Sequence, residues 1–204
     1  MLVGPKYKIC KRLGASVFEK CQTQKFQLAE ARAPRRTARP KRGGGSDFGA
    51  QLLEKQKARF TYGLSESQFA RYVHEAMEKR GTTASAGLLS RLEARLDNVV
   101  FRAGLVKTRR AARQLVSHGH IQINGRRMTI PSHCVAVGDM VSIRPESRDS
   151  ALFAARAETA LDTRTPNWLT LEEGGLSAKI VSAPMVGETE LPFDAAVIIQ
   201  FYSR

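Results

Sequence analysis

Lys107-Thr108-Arg109-Arg110-Ala111-Ala112-Arg113-Gln114-Leu115-Val116-Ser117-His118 is the segment whose residue types and spacing best fit a chemical task, and the task is anion recognition. A guanidinium group presents a planar fork of five donors that matches phosphate oxygens and also stacks on bases. Thr108 is a good N-cap, and the helix it opens sets Arg109, Arg110 and Arg113 against an apolar side of Ala111, Ala112, Leu115 and Val116. Gly119 follows Ser117-His118 and suits the left-handed C-cap. His120 to Ile123 then alternates, so Ile121 and Ile123 face a core while His120 and Gln122 face away. Asn124-Gly125 is a strong hairpin signal, because both residues accept the positive φ of a type I′ turn. Arg126 and Arg127 project from the return strand.

The stretch before this helix repeats the pattern. Leu88, Leu89, Leu92, Leu96, Val99, Val100 and Ala103 recur at helical spacing and predict one buried stripe over 88–103. Arg91, Arg95, Asn98 and Arg102 follow the same spacing on another face. Two helices and a hairpin thus carry arginines, two imidazoles and an Asn on one curved surface, suited to the phosphates, 2′-hydroxyls and shape of a structured RNA. Two other readings compete: a merely soluble arginine-rich surface, and a DNA-reading helix-turn-helix. Against the DNA reading, the second helix runs into a hairpin and no dimerisation segment is visible.

Catalytic chemistry finds no support, and neither a metal nor another cofactor is expected. Cys10, Cys21 and Cys134 are odd in number and widely spaced, which argues against a disulfide framework and fits a cytosolic compartment. Cys10 and Cys21 have no second close pair to complete a zinc site. His133 and Cys134 are chain neighbours that face opposite ways on a strand. Gly43-Gly44-Gly45-Ser46 follows a basic tail rather than a strand, so it is not a phosphate loop.

Charge falls along the chain. The formal net charge is +14, but residues 1–60 hold 15 basic against 4 acidic side chains, residues 61–148 hold 14 against 7, and residues 149–204 hold 4 against 8. The first two thirds are drawn to a polyanion and the last third is not. A membrane is excluded as a partner, since no apolar run approaches about 20 residues and no secretory signal is present.

Several elements must position these residues. Residues 1–46 read as a basic arm, contributing Lys6, Lys8, Lys11 and Arg12 and then Arg35, Arg36, Arg39, Lys41 and Arg42 in a segment with two prolines and a triple glycine. That segment has few groups able to pack and gains order on RNA. A helix from Ser46 or Asp47 holds Lys55, Lys57 and Arg59 and ends at Tyr62-Gly63. Ser65 with Gln68 caps the next, which buries Phe69, Tyr72, Val73 and Met77. Met140 to Arg144 and Leu176 to Val181 read as strands, Ala151 to Leu161 as a short helix, and Trp168, Leu169 and Leu171 as an apolar clasp in a turn-rich stretch. Ala196 to Tyr202 reads as strand-like packing for the same body, whose last strand or short helix ends at a polar tip. The fold class is α+β. The arm occupies 1–46, a helical domain 47–92, and a sheet-and-helix domain 93–204, with the two-helix and hairpin module at about 93–150.

Ser46 to Phe69 (SDFGAQLLEKQKARFTYGLSESQF), Arg91 to Arg126 (RLEARLDNVVFRAGLVKTRRAARQLVSHGHIQINGR), Val135 to Arg148 (VAVGDMVSIRPESR) and the terminal IIQFYSR resemble the bacterial and organellar small-subunit ribosomal protein uS4 family. The middle stretch looks like the RNA-binding module named after that family, also found in some pseudouridine synthases and a tyrosyl-tRNA synthetase. The resemblance runs over essentially the whole chain and leaves no room for a catalytic domain. It implies a structural constituent of the small ribosomal subunit that binds early to the five-way junction in the 5′ domain of 16S-type ribosomal RNA, nucleates assembly and influences decoding accuracy. It also implies contact with ribosomal protein uS5 and a place near the mRNA where it enters the subunit. Some relatives repress their own messenger. By position, Arg95, Lys107, Thr108, Arg109, Arg110, Arg113, Gln114, Ser117, His118 and Asn124 fall on the family's RNA-facing motif, and Lys55 and Lys57 on its helical-domain motif. Some relatives hold a metal with four N-terminal cysteines, where this chain has Cys10 and Cys21 alone. Many carry a proline-glycine-histidine-glycine stretch where it has ARPKRGGGSDFG. The absence of a long amphipathic presequence points to a bacterial cytoplasm rather than an organelle. The alternative function is a free-standing regulatory RNA-binding protein acting on mRNA or tRNA, and an RNA-modifying enzyme ranks third.

Overall fold

A computed structural model of the protein describes residues 4–32, 47–148, 150, 153, 165–172, 175–184 and 191–203. Its helices are α1 (Lys6–Leu13), α2 (Gln24–Arg32), α3 (Asp47–Tyr62), α4 (Glu66–Glu78), α5 (Ala84–Glu93), α6 (Leu96–Arg102), α7 (Arg109–His118), the single turn α8 (Pro145–Arg148) and α9 (Ala195–Tyr202). Its strands are β1 (Ile121–Ile123), β2 (Arg126–Arg127), β3 (Met140–Ile143), β4 (Leu169–Leu171) and β5 (Ser177–Ile180). The chain divides into two compact units, residues 1–88 with 187–204, and residues 89–186. A helical unit and a mixed unit with an antiparallel sheet match the α+β class read from the sequence.

In the helical unit, Ser65 caps α4 by accepting from the Gln68 amide at 3.3 Å, and Phe69, Tyr72, Val73 and Ala76 are buried along the helix. Ala76 takes the place expected for Met77, which is 36% exposed. Residues 4–32 are not a bare arm. Cys10, Phe18, Cys21 and Phe26 form a small buried cluster against which Ile9 and Phe60 pack, and the Phe18 and Phe60 rings meet edge to face at 6.0 Å. The basic and glycine-rich segment at 33–45, with Arg35, Arg36, Arg39, Lys41 and Arg42, lies outside the described residues.

Of the strand or short helix open at the C-terminus, residues 195–202 form the helix, and they belong to the helical unit rather than to the sheet. β-Branched residues favour strands only weakly, and a cap with tertiary packing overrides them. Asp194 supplies the cap, its Oδ1 accepting from Ala196 N at 2.7 Å and Val197 N at 3.3 Å. Packing comes from Phe201 on Phe48 and from Phe193 on Tyr62.

In the second unit the sheet order is β2-β1-β3-β5-β4, antiparallel throughout. Trp168 and Leu169 are buried as expected of a clasp, and residues 169–171 extend the sheet as its edge strand. Of the helix expected at 151–161, only Phe153 is described; it is helical and buried. The core gathers Leu96, Val99, Val100, Leu115, Val116, Ile121, Val141, Ile143 and Ile180. All seven residues of the expected stripe over 88–103 are buried, but Leu88, Leu89 and Leu92 lie on α5, Leu96, Val99 and Val100 on α6, and Ala103 at the α6 C-cap. The break falls at Ala94-Arg95, where the backbone pairs with a distant segment: Val135 N donates to Ala94 O at 2.9 Å, Leu96 N to His133 O at 2.8 Å and Asp97 N to Pro131 O at 3.1 Å.

Candidate nucleic-acid interface

The α6–α7 pair and the hairpin after it carry the candidate site. Thr108 caps α7 as its sequence suggests, accepting from Ala111 N at 3.1 Å, and Ala112, Leu115 and Val116 anchor the inner face. Lys107, Arg110, Gln114, Ser117 and His118 are exposed, recurring every three or four residues along the outer face. Ser117 Oγ donates to the Arg113 carbonyl at 2.9 Å. Asn124 has φ of 50° and Gly125 of 79°, the positive values of a type I′ turn, and the register opposes Ile123 to Arg126 and Gln122 to Arg127. Arg126 and Arg127 are exposed.

Two cations not separately expected to meet converge at the end of α7. Gly119 terminates the helix with φ of 78°, and a side chain there would overlap the Arg127 guanidinium, whose Cζ would lie 2.7 Å from the added carbon. Arg144 Nη1 also reaches the Gly119 carbonyl at 3.4 Å. The negative end of the helix macrodipole favours both. His120, half-buried, shares a hydrogen bond between its Nδ1 and Ser147 Oγ at 3.0 Å, and its ring centroid lies 6.1 Å from that of His118. Arg144 and Arg148 lie outside the stretches whose spacing marks an RNA-facing surface. Their only signal was position, after β3 and near His120, whose carbonyl accepts from Arg144 N at 2.9 Å.

The expected outward line of Arg91, Arg95, Asn98 and Arg102 is largely turned into a buried ion network. Arg95, 3% exposed, binds Asp97 through Nε to Oδ1 at 3.0 Å and Nη2 to Oδ2 at 2.9 Å. Arg113 joins the same carboxylate, Nε to Oδ2 at 2.8 Å. Fully buried Glu93 accepts from Asn98 at 2.7 Å and from Arg102 at 2.9 and 3.0 Å. Arg109 donates to Asn98 Oδ1 at 2.8 Å and stacks 4.3 Å over Phe101. Arg91 is half-buried. The Glu93 and Asp97 carboxylates explain the difference, because they hold Arg95, Asn98 and Arg102 within the unit. Asn124 is exposed, yet its amide is engaged: Nδ2 donates to Asp139 Oδ1 at 2.8 Å and Oδ1 accepts from Met140 N at 2.9 Å.

This network has an electrostatic consequence. Residues 89–148 carry 11 basic and four acidic side chains. All four carboxylates are engaged: Glu93 and Asp97 as above, Asp139 by Asn124 and the Ala136 amide, and Glu146 by Arg144 at 3.0 Å. The Arg144 hydrogen bond holds the Glu146 carboxyl below the usual range. Glu93, Asp97 and Glu146 are thereby paired with arginines, Asp139 is hydrogen-bonded to neutral amides, and the cationic excess remains along α7 and the hairpin.

The basic candidates of the helical unit fall into two groups. Lys8, Lys11 and Arg12 are exposed on α1, and Lys6 is half-buried with its ammonium 5.6 Å from the Phe18 ring. Lys55, Lys57 and Arg59 are instead paired within the unit, contrary to a freely presented basic face. Lys55, 7% exposed, meets Glu66 at 2.6 Å and the Phe201 ring at 4.5 Å, Arg59 meets Glu66 at 2.6 Å, and Lys57 meets Glu54 at 2.6 Å. Tyr202 donates to Glu66 at 2.8 Å, which ties α9 into the cluster. Burial pushes the Glu66 carboxyl up, but hydrogen bonds from Lys55, Arg59 and Tyr202 outweigh it and leave a net lowering. Burial and the Glu66 carboxylate raise the Tyr202 hydroxyl well above its ordinary value.

Cys10 and Cys21 are buried, and Cys21 Sγ lies 3.8 Å from the Lys6 carbonyl. Among the described residues, no three His, Cys, Asp or Glu side chains cluster as metal ligands, and no helix is long and apolar enough to cross a membrane.

The helical unit and the α6–α7–hairpin module each match a family profile: the "Ribosomal protein S4/S9 N-terminal domain" over residues 1–93 and the "S4 domain" over residues 94–141. Fold and profiles together place the chain among ribosomal proteins that carry an S4 domain. It is similar to the small ribosomal subunit protein uS4 of Roseiflexus castenholzii, 44% identical over 99% of this chain and 98% of the relative. The uS4 proteins of Acetivibrio thermocellus, 40% identical over 98% of each chain, and of Thermus thermophilus, 38% identical over 99% and 98%, align as fully. The chain belongs to the small ribosomal subunit protein uS4 family.

Proposed function

We propose that the protein is a non-catalytic, primary binder of small-subunit ribosomal RNA, and that it engages the five-way junction of the 5′ domain early in assembly. The observation that carries this reading is the distribution of charge over residues 89–148. Every carboxylate there is engaged, while Lys107, Arg110, Arg126 and Arg127 are exposed on α7 and the hairpin. Guanidinium groups on a rigid helix and hairpin suit phosphates held at fixed spacing in folded RNA better than a readable groove. The exposed Lys8, Lys11 and Arg12 of α1, with the basic segment at 35–42, add phosphate contacts. Arg91, Arg109, Arg113, Gln114, Ser117, His118 and His120 line or support the same face, while Arg95, Thr108 and Asn124 hold its framework. In the assembled particle this reading gives the protein uS5 and the incoming mRNA as neighbours, an influence on decoding accuracy, and a bacterial cytoplasmic location.

Sedimentation of cell extract tests the proposal. The protein should travel with the small subunit and its precursors. Recovery only in light fractions would favour a free-standing regulator of mRNA or tRNA and overturn the ribosomal role.

A further inference from the structure

Asp97 lies at the base of the proposed interface, 3% exposed on α6. Its two oxygens divide the work. Arg95 forks across both, while Arg113 of α7 directs Nε and Nη2 onto Oδ2, at 2.8 and 2.6 Å. The two arginines differ in where they end. The Arg95 side chain is 4% exposed and the Arg113 side chain 31%. A buried ion pair therefore serves as the footing for a second guanidinium that extends to the surface.

A carboxylate beneath an RNA-binding face carries an electrostatic cost, since its field opposes that of the phosphates. Its gain lies in order. A free arginine loses rotamer entropy when it is fixed against a phosphate, and a side chain held beforehand loses less. Two donors on one oxygen set the plane of the guanidinium as well as its place. We infer that Asp97 is a positioning residue for RNA recognition, which orients the Arg113 guanidinium before the RNA arrives. The inference rests on the RNA-binding function proposed above.

Charge and orientation predict opposite signs for one substitution, which makes the test direct. Asp97→Asn preserves shape and adds one positive charge. If charge alone set affinity, the full-length variant would bind the 5′-domain junction RNA more tightly than the parent. Positioning predicts binding weaker by about ten-fold at constant salt. The loss should be shared with Arg113: Asp97→Asn/Arg113→Gln should bind no worse than Arg113→Gln alone, whereas losses from Asp97→Asn and Arg110→Gln should multiply. Equal or tighter binding by Asp97→Asn, or losses that multiply with Arg113→Gln, would overturn the inference. Losses that fail to multiply with Arg110→Gln would overturn it too, because they would mark a generally loosened α7. If Asp97→Asn does not fold, Arg113→Lys decides. It keeps the charge without the two-donor edge and should bind about five-fold more weakly, and parent-like affinity would overturn the inference. A parent that does not bind this RNA would remove the functional reading and this inference together; a binding parent matched by Asp97→Asn would remove the inference alone.

Discussion

Replacing Gly119 with alanine separates the stability of the second unit from its recognition of RNA. Gly119 has φ of 78°, and an alanine held in the left-handed region costs about 1–2 kcal/mol. For a unit spanning residues 89–186, that is a drop in melting temperature of about 4–8 °C per kcal/mol. The new methyl would also overlap the Arg127 guanidinium. Because the obstacle is the far end of a flexible side chain, Arg127 swings aside and adds little to the stability loss. Gly138 supplies the control, with φ of 93° and nothing within 4 Å of an added carbon. Gly119→Ala and Gly138→Ala should therefore lower the melting temperature to a similar degree. Only Gly119→Ala should weaken binding to junction RNA, by several-fold, and reduce the slope of log affinity against log salt by about one phosphate contact. Calorimetric melting paired with titrations at four or five salt concentrations measures both effects. If Gly119→Ala melts like the control and binds with the parent's affinity and slope, Arg127 at the α7 cap is not part of the interface.

Three further outcomes follow from the same geometry. Raising salt from about 50 to 200 mM should lower RNA affinity by about 10³–10⁵, as expected when six to ten phosphates are neutralised; a flat titration would contradict a phosphate-dominated interface. Phe18→Ala should destabilise the helical unit by about 3 kcal/mol, since Phe18 is 8% exposed and packs on Phe60. A parent-like melt would show that the N-terminal helices do not contribute to the fold. The lowered Glu66 carboxyl contributes stability that is present above its ordinary value of 4.5 and is lost as pH falls through the lower folded value. Glu66→Gln should thus flatten the acid limb of the helical unit's stability curve below about pH 4.5, and an unchanged limb would remove the Lys55–Glu66–Arg59 cluster from the account.

Elements with local chemical signals were legible in the sequence. Thr108, Gly119 and Asn124-Gly125 each fix their own backbone geometry, and the structure places a cap, a helix end and a type I′ turn at those positions. The elements that differed depend on partners far along the chain. The break at Arg95 is imposed by backbone pairing with residues 131–135, which no helical periodicity over 88–103 can encode. At the C-terminus the β-branched Val197, Ile198 and Ile199 left strand and short helix open, and packing on α3 decided for the helix. The N-terminal cluster was hidden because Cys10, Phe18, Cys21 and Phe26 follow no period. Site residues followed the same division. Exposure of Arg110 followed from helical spacing and that of Lys107 and Gln114 agreed with the family resemblance, while burial of Arg95 and Lys55 depended on Asp97, Glu66 and the Phe201 ring supplied by the fold.

The central claim is that the α7–hairpin face meets one particular folded RNA. Chemical footprinting of the full-length protein on small-subunit ribosomal RNA, with parent and Arg110→Gln/Arg127→Gln proteins side by side, tests it most directly. Protection should concentrate at the five-way junction of the 5′ domain, and part of it should be lost selectively in the folded double variant. Protection scattered without preference for the junction, or a footprint identical in the two proteins, would contradict it.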